Sequence, residues 1–76
     1  MNNLLDVKQG VYCTINQISE YSPPQIKRRL LDLGFTHGQK VRIIGQSLLK
    51  KAYLIELRGY ILTLRKDIVS YILIEK

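Results

Sequence analysis

Ser22-Pro23-Pro24-Gln25-Ile26-Lys27-Arg28-Arg29-Leu30-Leu31-Asp32-Leu33-Gly34-Phe35 carries the start, the buried face and the stop of one helix. Ser22 has the side chain of an N-cap. Pro23 suits the first helical position, where its missing N–H would be unpaired anyway and its φ is preset, and Gln25 stands at the reciprocal capping-box position. Tyr21 and Ile26 then occupy the two positions of a hydrophobic staple. Ile26, Leu30 and Leu33 recur at helical spacing and form the expected buried stripe. Gly34 is placed for the left-handed residue that ends a helix, with Phe35 folding back over Leu30. Lys27, Arg28 and Arg29 fall in the first half of this helix, where the macrodipole favours acidic residues. Asp32 can pair with Arg28 one turn on, and the positive charge left over is a hint that this face meets a partner.

Short strands flank the helix. Upstream, Val11 to Ile18 alternates Val11, Cys13 and Ile15 against Tyr12, Thr14 and Asn16, which predicts a half-buried strand. The lead-in before it is irregular: Leu4, Leu5 and Val7 can cap one end of a core, and Lys8-Gln9-Gly10 is turn chemistry. Downstream, Gly38 marks a turn and Gln39 to Gln46 reads as a strand with Val41 and Ile43 inward and Arg42 outward. Ser47 to Ala52 is a polar, lysine-bearing connection. Tyr53 to Arg58 and Tyr60 to Arg65 predict an antiparallel pair hinged near Gly59, with Ile55, Leu57, Leu62 and Leu64 the expected core contributors. Asp67 is placed to cap one helical turn through Ile68, Val69 and Tyr71, ahead of a last strand at Ile72 to Glu75. The fold expected is mostly β: a small closed or nearly closed barrel with one α-helix inserted after the first strand and a short helical turn before the last, because closure protects the edges of so short a sheet.

With 76 residues there is room for one domain, taken as residues 1–76. A core of this size rarely supplies more than about 3–5 kcal/mol net, so most apolar residues are needed for structure. Twelve Lys plus Arg against six Asp plus Glu give a formal charge of +6, which favours anionic partners without choosing among nucleic acid, lipid headgroups and acidic protein faces. The short clusters Lys27-Arg28-Arg29, Lys50-Lys51 and Arg65-Lys66 read either as contact surface or as solvated surface. A lone cysteine, Cys13, fits a reducing compartment. No signal peptide opens the chain and no apolar run approaches the roughly 18 residues that span a bilayer, so the expectation is a soluble, cytoplasmic protein.

Catalysis needs convergent polar groups, and one His, one Cys and six carboxylates offer few ways to assemble a nucleophile, base and orienter. Cys13 alternates with apolar residues, as a small buried hydrophobe would, and His37 lies beside Gly38 without a second His or Cys at ligand spacing. There is no Gly-rich phosphate loop. The chain reads as a non-enzyme with no cofactor and no metal site. Tyr12, Tyr21, Phe35, Tyr53, Tyr60 and Tyr71 are interspersed with basic residues, a pattern open to base stacking but equally to filling a core that lacks Trp.

The order of segments adds to this. Lys8-Gln9-Gly10, a strand ending in Ile15 to Ile18, Lys27-Arg28-Arg29-Leu30-Leu31-Asp32-Leu33-Gly34-Phe35, Gly38-Gln39-Lys40-Val41, Ile55-Glu56-Leu57-Arg58-Gly59-Tyr60 and Leu64-Arg65-Lys66-Asp67 together resemble the FeoA family over nearly the whole chain. The most specific part is Arg28 to Phe35 followed by Gly38, and the second is Arg58-Gly59-Tyr60 leading into Leu62 to Lys66. His37 departs from the family, which commonly has Pro there, and Pro23-Pro24 replaces a more Gly-rich or polar approach to the helix. The resemblance implies an SH3-like barrel and an accessory role in ferrous-iron uptake, exercised by contact with FeoB, the membrane protein that moves ferrous iron and carries a cytoplasmic GTP-binding domain. It also implies a family-level link to transition-metal ions, self-association as a second mode of contact, and a place at the inner membrane only through FeoB. On this reading Arg28 and Arg29 of the helix, with Arg58, Gly59, Tyr60, Arg65 and Lys66 of the later hairpin, supply the partner-binding surface by charge-assisted pairing and aromatic anchoring. Turn geometry is the competing account of Gly34 and Gly59. Two rivals stand beside it: a DNA-linked module, either the SH3-like module of a metal-dependent transcriptional regulator of the DtxR type or a basic nucleic-acid-binding barrel, although direct nucleic-acid contact is not the expectation; and a ferrous-iron-binding chaperone, for which only Cys13, His37 and scattered carboxylates are available as ligands.

Overall fold

Pro24 decides where the helix begins. A proline ring clashes with a helical conformation at the residue before it, so Pro23 is held extended at φ −57°, ψ 142° and becomes the N-cap. Helix α1 therefore runs Pro24–Leu33. The structure is a computed structural model that describes residues 2–75. Ser22, expected to cap the helix, instead donates from its hydroxyl to the Ser19 carbonyl at 2.7 Å, and α1 has no side-chain cap. With the helix displaced by one residue the staple is not made: Tyr21 is 92% exposed. The stop falls where expected. Gly34 adopts φ 110°, its N–H reaching the Leu31 carbonyl at 3.1 Å while the Phe35 N–H reaches the Leu30 carbonyl at 3.0 Å, the paired bonds of a Schellman ending. Leu30 and Phe35 are both buried.

Five strands, β1 (Cys13–Ile18), β2 (Lys40–Gln46), β3 (Ala52–Leu57), β4 (Tyr60–Arg65) and β5 (Ile72–Glu75), form one sheet in the order β4-β3-β2-β1-β5. All neighbours are antiparallel. The sheet coils but does not close, because among the described residues β4 and β5 are not paired with one another. Instead the lead-in shields the β5 edge: Asn3 bridges Leu73, and the Ile74 N–H donates to the Asn2 carbonyl at 2.9 Å. Between β4 and β5 lies a short helix α2 (Lys66–Val69). Its N-cap is Arg65 rather than Asp67, which sits one residue inside the turn.

Two bulges bend the sheet. On β1 the register slips between Ile15 and Gln17, so Ile15 and Ile18 both turn inward although strict alternation would separate them. On β2 the slip between Ile43 and Gly45 does the same work opposite β3. Strand β1 begins at Cys13, later than expected. Gly10, at φ 87°, donates to the Ile43 carbonyl at 2.7 Å and closes a turn that leaves Val11 48% exposed rather than inward. The core gathers Ile15, Ile18, Val41, Ile43, Ile55, Leu57, Leu64, Ile72 and Ile74 from the sheet, joined by Leu30 of α1, Phe35 just beyond it, Leu4 of the lead-in and Val69 of α2. Each such side chain contributes about 1.5–3 kcal/mol on burial, a large share of what so small a domain can have in total. Leu4 is delivered by a 3-10 turn over Leu4–Asp6, closed by a reciprocal capping box between Asn3 and Asp6 that the sequence reading passed over.

Candidate interaction surface

The two most specific sequence segments meet in space. Arg58 and Gly59, at φ 54° and 84°, form the two-residue left-handed turn between β3 and β4, with Leu57 facing Tyr60 across it. This turn lies against the end of α1. The Tyr60 hydroxyl donates to the Leu33 carbonyl, one of the groups a helix end leaves unpaired. The Arg58 side chain crosses Gly34 so closely that a Cβ there would stand 3.0 Å from its Cδ and 3.4 Å from Leu57 Cδ2. A guanidinium beside a helix C-terminus is also favoured by the macrodipole. Gly34 is thus favoured by its backbone angle and, to a lesser degree, by the arginine lying on it, and Gly59 by its angle alone, with open space where a Cβ would be.

The other predicted residues separate. Arg29 lines a cleft of about 310 Å³ with Ile26, Leu30 and Leu33 of α1, Leu64 and Arg65 of β4 and Ile68 of α2. Thr63 also lines it, so five aliphatic side chains share the cleft with one hydroxyl, a cation from α1 and another from β4, and its lining is polar and apolar in about equal measure. Arg28, one residue earlier, faces away, in a shallow groove with Pro24, Lys27, Leu31 and Asp32. Among the described residues no ion pair joins Arg28 to Asp32, so the pairing expected at that spacing is not made. Lys66 faces a third region, with Leu5, Leu49, Lys50, Lys51 and Asp67, and Arg65 borders both this region and the cleft. Arg65 is partly compensated: its Nη2 and Nε donate to the Asp67 carboxylate at 2.8 and 3.2 Å, and this guanidinium holds the Asp67 carboxyl below its usual range. The seven residues are therefore one helix-end junction, one cleft rim and two separate basic faces.

Three features went unread in the sequence. Arg42 pairs with Glu56 across β2 and β3, its guanidinium 4.5 Å from the centre of the Tyr12 ring, and the Tyr12 hydroxyl donates to the same carboxylate at 3.1 Å. The Arg42 hydrogen bond and then that of Tyr12 lower the Glu56 pKa. No sequence spacing signals this cluster, since it depends on strand register. The second feature is the pair Leu48 and Leu49 in the connection read as polar, 98% and 72% exposed beside Lys50 and Lys51. The third is the cleft between α1 and β4–α2 itself.

The residues with chemical reactivity lie apart. The Cys13 thiol is half-buried, donates to the Val41 carbonyl at 3.5 Å and is pushed up in pKa by burial. His37 donates from Nδ1 to the Asn16 carbonyl at 2.8 Å, with its Nε2 3.8 Å from the Glu75 carboxylate. Among the described residues no three His, Cys, Asp or Glu side chains come together as a metal site, and no helix is long and apolar enough to cross a membrane.

A coiled five-stranded antiparallel sheet with a helix between its first two strands and a helical turn before its last is an SH3-like fold. A model of the FeoA domain matches residues 2–76, and the chain belongs to the FeoA domain family. The FeoA-like protein of Clostridium acetobutylicum is 28% identical over 97% of this chain and 84% of its own, with a TM-score of 0.85. The FeoA of Stenotrophomonas maltophilia, solved with zinc and described as a prokaryotic SH3 domain protein, is 18% identical over 99% of this chain and 91% of its own, with a TM-score of 0.86. The fold also recurs in a manganese-dependent transcriptional repressor, 17% identical with a TM-score of 0.83, where 96% of this chain covers 35% of the repressor. A comparison with curated proteins returns no match.

Proposed function

We propose that this chain is a cytoplasmic, non-enzymatic accessory of ferrous-iron uptake that acts as one domain by contact with FeoB, and reaches the inner membrane through it. Family membership supports the pathway, and the FeoA of Stenotrophomonas maltophilia is described in connection with ferrous iron transport activation. The observation that carries the mode of action is the cleft between α1 and β4–α2, where Ile26, Leu30, Leu33, Leu64 and Ile68 stand beside Thr63, Arg29 and Arg65. An apolar side chain of the partner fits against the aliphatic residues while carboxylates meet the arginines, the arrangement in which a buried anchor sets affinity and charge sets orientation. Arg28, Lys27 and the Arg58–Tyr60 turn then serve as outlying contacts, and a second copy of the chain competes for the same cleft.

The test is capture of purified chain by the cytoplasmic domain of FeoB. Charge reversal of Arg28 and Arg29 together is expected to abolish capture while leaving the circular dichroism spectrum intact. Capture unchanged by the double reversal removes these residues from the site. The likeness to the manganese-dependent repressor favours one alternative, an SH3-like module working beside a DNA-binding domain. Sequence-selective DNA binding would favour that reading, whereas DNA binding that is indifferent to sequence and collapses with salt reports only counterion release.

A further inference from the structure

The connection between β2 and β3 is a fixed turn. The Ser47 N–H donates to the Ala52 carbonyl at 2.8 Å and the Lys50 N–H to the Ser47 carbonyl at 2.9 Å. The Ser47 hydroxyl oxygen accepts from the N–H groups of both Lys51 and Ala52 at 3.1 Å, and Lys50 takes a left-handed φ of 58°. At its tip stand Leu48 and Leu49, 98% and 72% exposed. Lys50 and Lys51 follow directly, and Lys66 shares the adjoining surface. Among the described residues none of these three lysines has a carboxylate partner, Asp67 being engaged by Arg65. Hydrogen bonding of the backbone on one side thus holds two large apolar side chains in water on the other, inside a cationic border.

We infer that this tip is an anchor for an anionic lipid surface, with Leu48 and Leu49 entering the headgroup boundary while Lys50, Lys51 and Lys66 meet lipid phosphates. Size and shape favour lipid over a protein partner. A stable protein interface needs about 800 Å² per side with matched relief, and two leucines on a projecting turn supply only a small part of that. A bilayer needs no matched relief: it accepts a protruding apolar tip anywhere, and long basic side chains extend back to its phosphates. The lysines are placed for that division of labour, next in sequence to the leucines and on the same surface. The inference adds a direct lipid contact to the place at the membrane that FeoB gives; it uses neither the cleft nor α1 and is tested without FeoB.

The test is sedimentation of the purified chain with vesicles of phosphatidylcholine containing three-tenths phosphatidylglycerol, at low salt. Binding is expected on these vesicles, weakening with added salt, and absent on pure phosphatidylcholine. Lys50→Gln with Lys51→Gln is expected to weaken binding about fivefold for each lysine removed. Lys27→Gln with Arg28→Gln takes the same charge from α1 and is expected to leave most of the binding in place. The chain has no tryptophan, so Leu48→Trp provides a single indole at the tip, expected to shift its emission to the blue on the anionic vesicles. No binding to anionic vesicles, equal binding to neutral ones, equal losses in the two double variants, or an unshifted indole would each overturn the inference. All substituted residues are exposed, so the variants keep the fold.

Discussion

Gly34→Ala tests the claim that the helix end and the β3–β4 turn are one unit. Two costs are expected. At φ 110° an alanine is in a region that costs an L-residue roughly 1–2 kcal/mol, offset by about 0.4–1 kcal/mol because alanine has less freedom to lose on folding. The added Cβ then meets Arg58 Cδ at 3.0 Å and Leu57 Cδ2 at 3.4 Å, so the arginine side chain must give by a few tenths of an ångström. Gly38 separates the two terms: it has φ 85° and nothing within 4 Å of its Cβ position, so Gly38→Ala carries backbone strain alone. Urea unfolding should show Gly34→Ala as the more destabilised, by about 1–2 kcal/mol against the parent, with a fall in Tm of roughly 4–8 °C per kcal/mol for a domain of this size. In an Arg58→Ala background the excess over Gly38→Ala should shrink, because the obstructing chain is gone. If Gly34→Ala proves neutral, or if its excess is the same with and without Arg58, the side chain does not lie on the helix end in solution and the coupling is wrong.

Removing only the hydroxyl, Tyr60→Phe leaves the Leu33 carbonyl to water and should cost about 0.5–1.5 kcal/mol in urea, and an unchanged midpoint would show that the contact contributes nothing. Glu56 and Asp67 both have lowered pKa values in the folded chain, so their contribution to stability is fully present above the unfolded value and is lost as the pH falls through the folded one. Midpoints should therefore hold level from neutrality down to the ordinary carboxylate value of 4.5 for Glu56 and decline below it, with Glu56→Gln flattening the decline. A Glu56→Gln profile that falls as steeply as the parent's would remove the Arg42–Tyr12 cluster from the account. The charge reversal on α1 and the vesicle experiment complete the set.

How much of this was legible follows the reach of each cause. Gly34 could be read as a helix stop because the demand for a left-handed residue is local, and the alternation at Val41 and Ile43 survives intact in β2. The helix start was legible too, in Pro24, whose ring acts on the residue before it, although Ser22 has the more familiar capping side chain. The bulges could not be read. An extra residue at Asn16 exists only relative to the strand it faces, and Ile18 turns inward for that reason alone. Grouping Arg28 with Arg29 was natural in the linear order, yet consecutive helical positions diverge by about a quarter turn and fall in different grooves.

By itself the chain of residues determined the element order, the helix stop, the hairpin turn at Gly59 and most of the core, because these depend on backbone sterics and on apolar periodicity within a few residues. Tertiary structure alone decided that the sheet stays open with its β5 edge covered by the lead-in, that Arg58 and Tyr60 close the end of α1, and that two leucines stand uncovered beside three lysines. These depend on strand register and on which distant segments come to rest against each other, and no local preference of a residue encodes the identity of its distant neighbours.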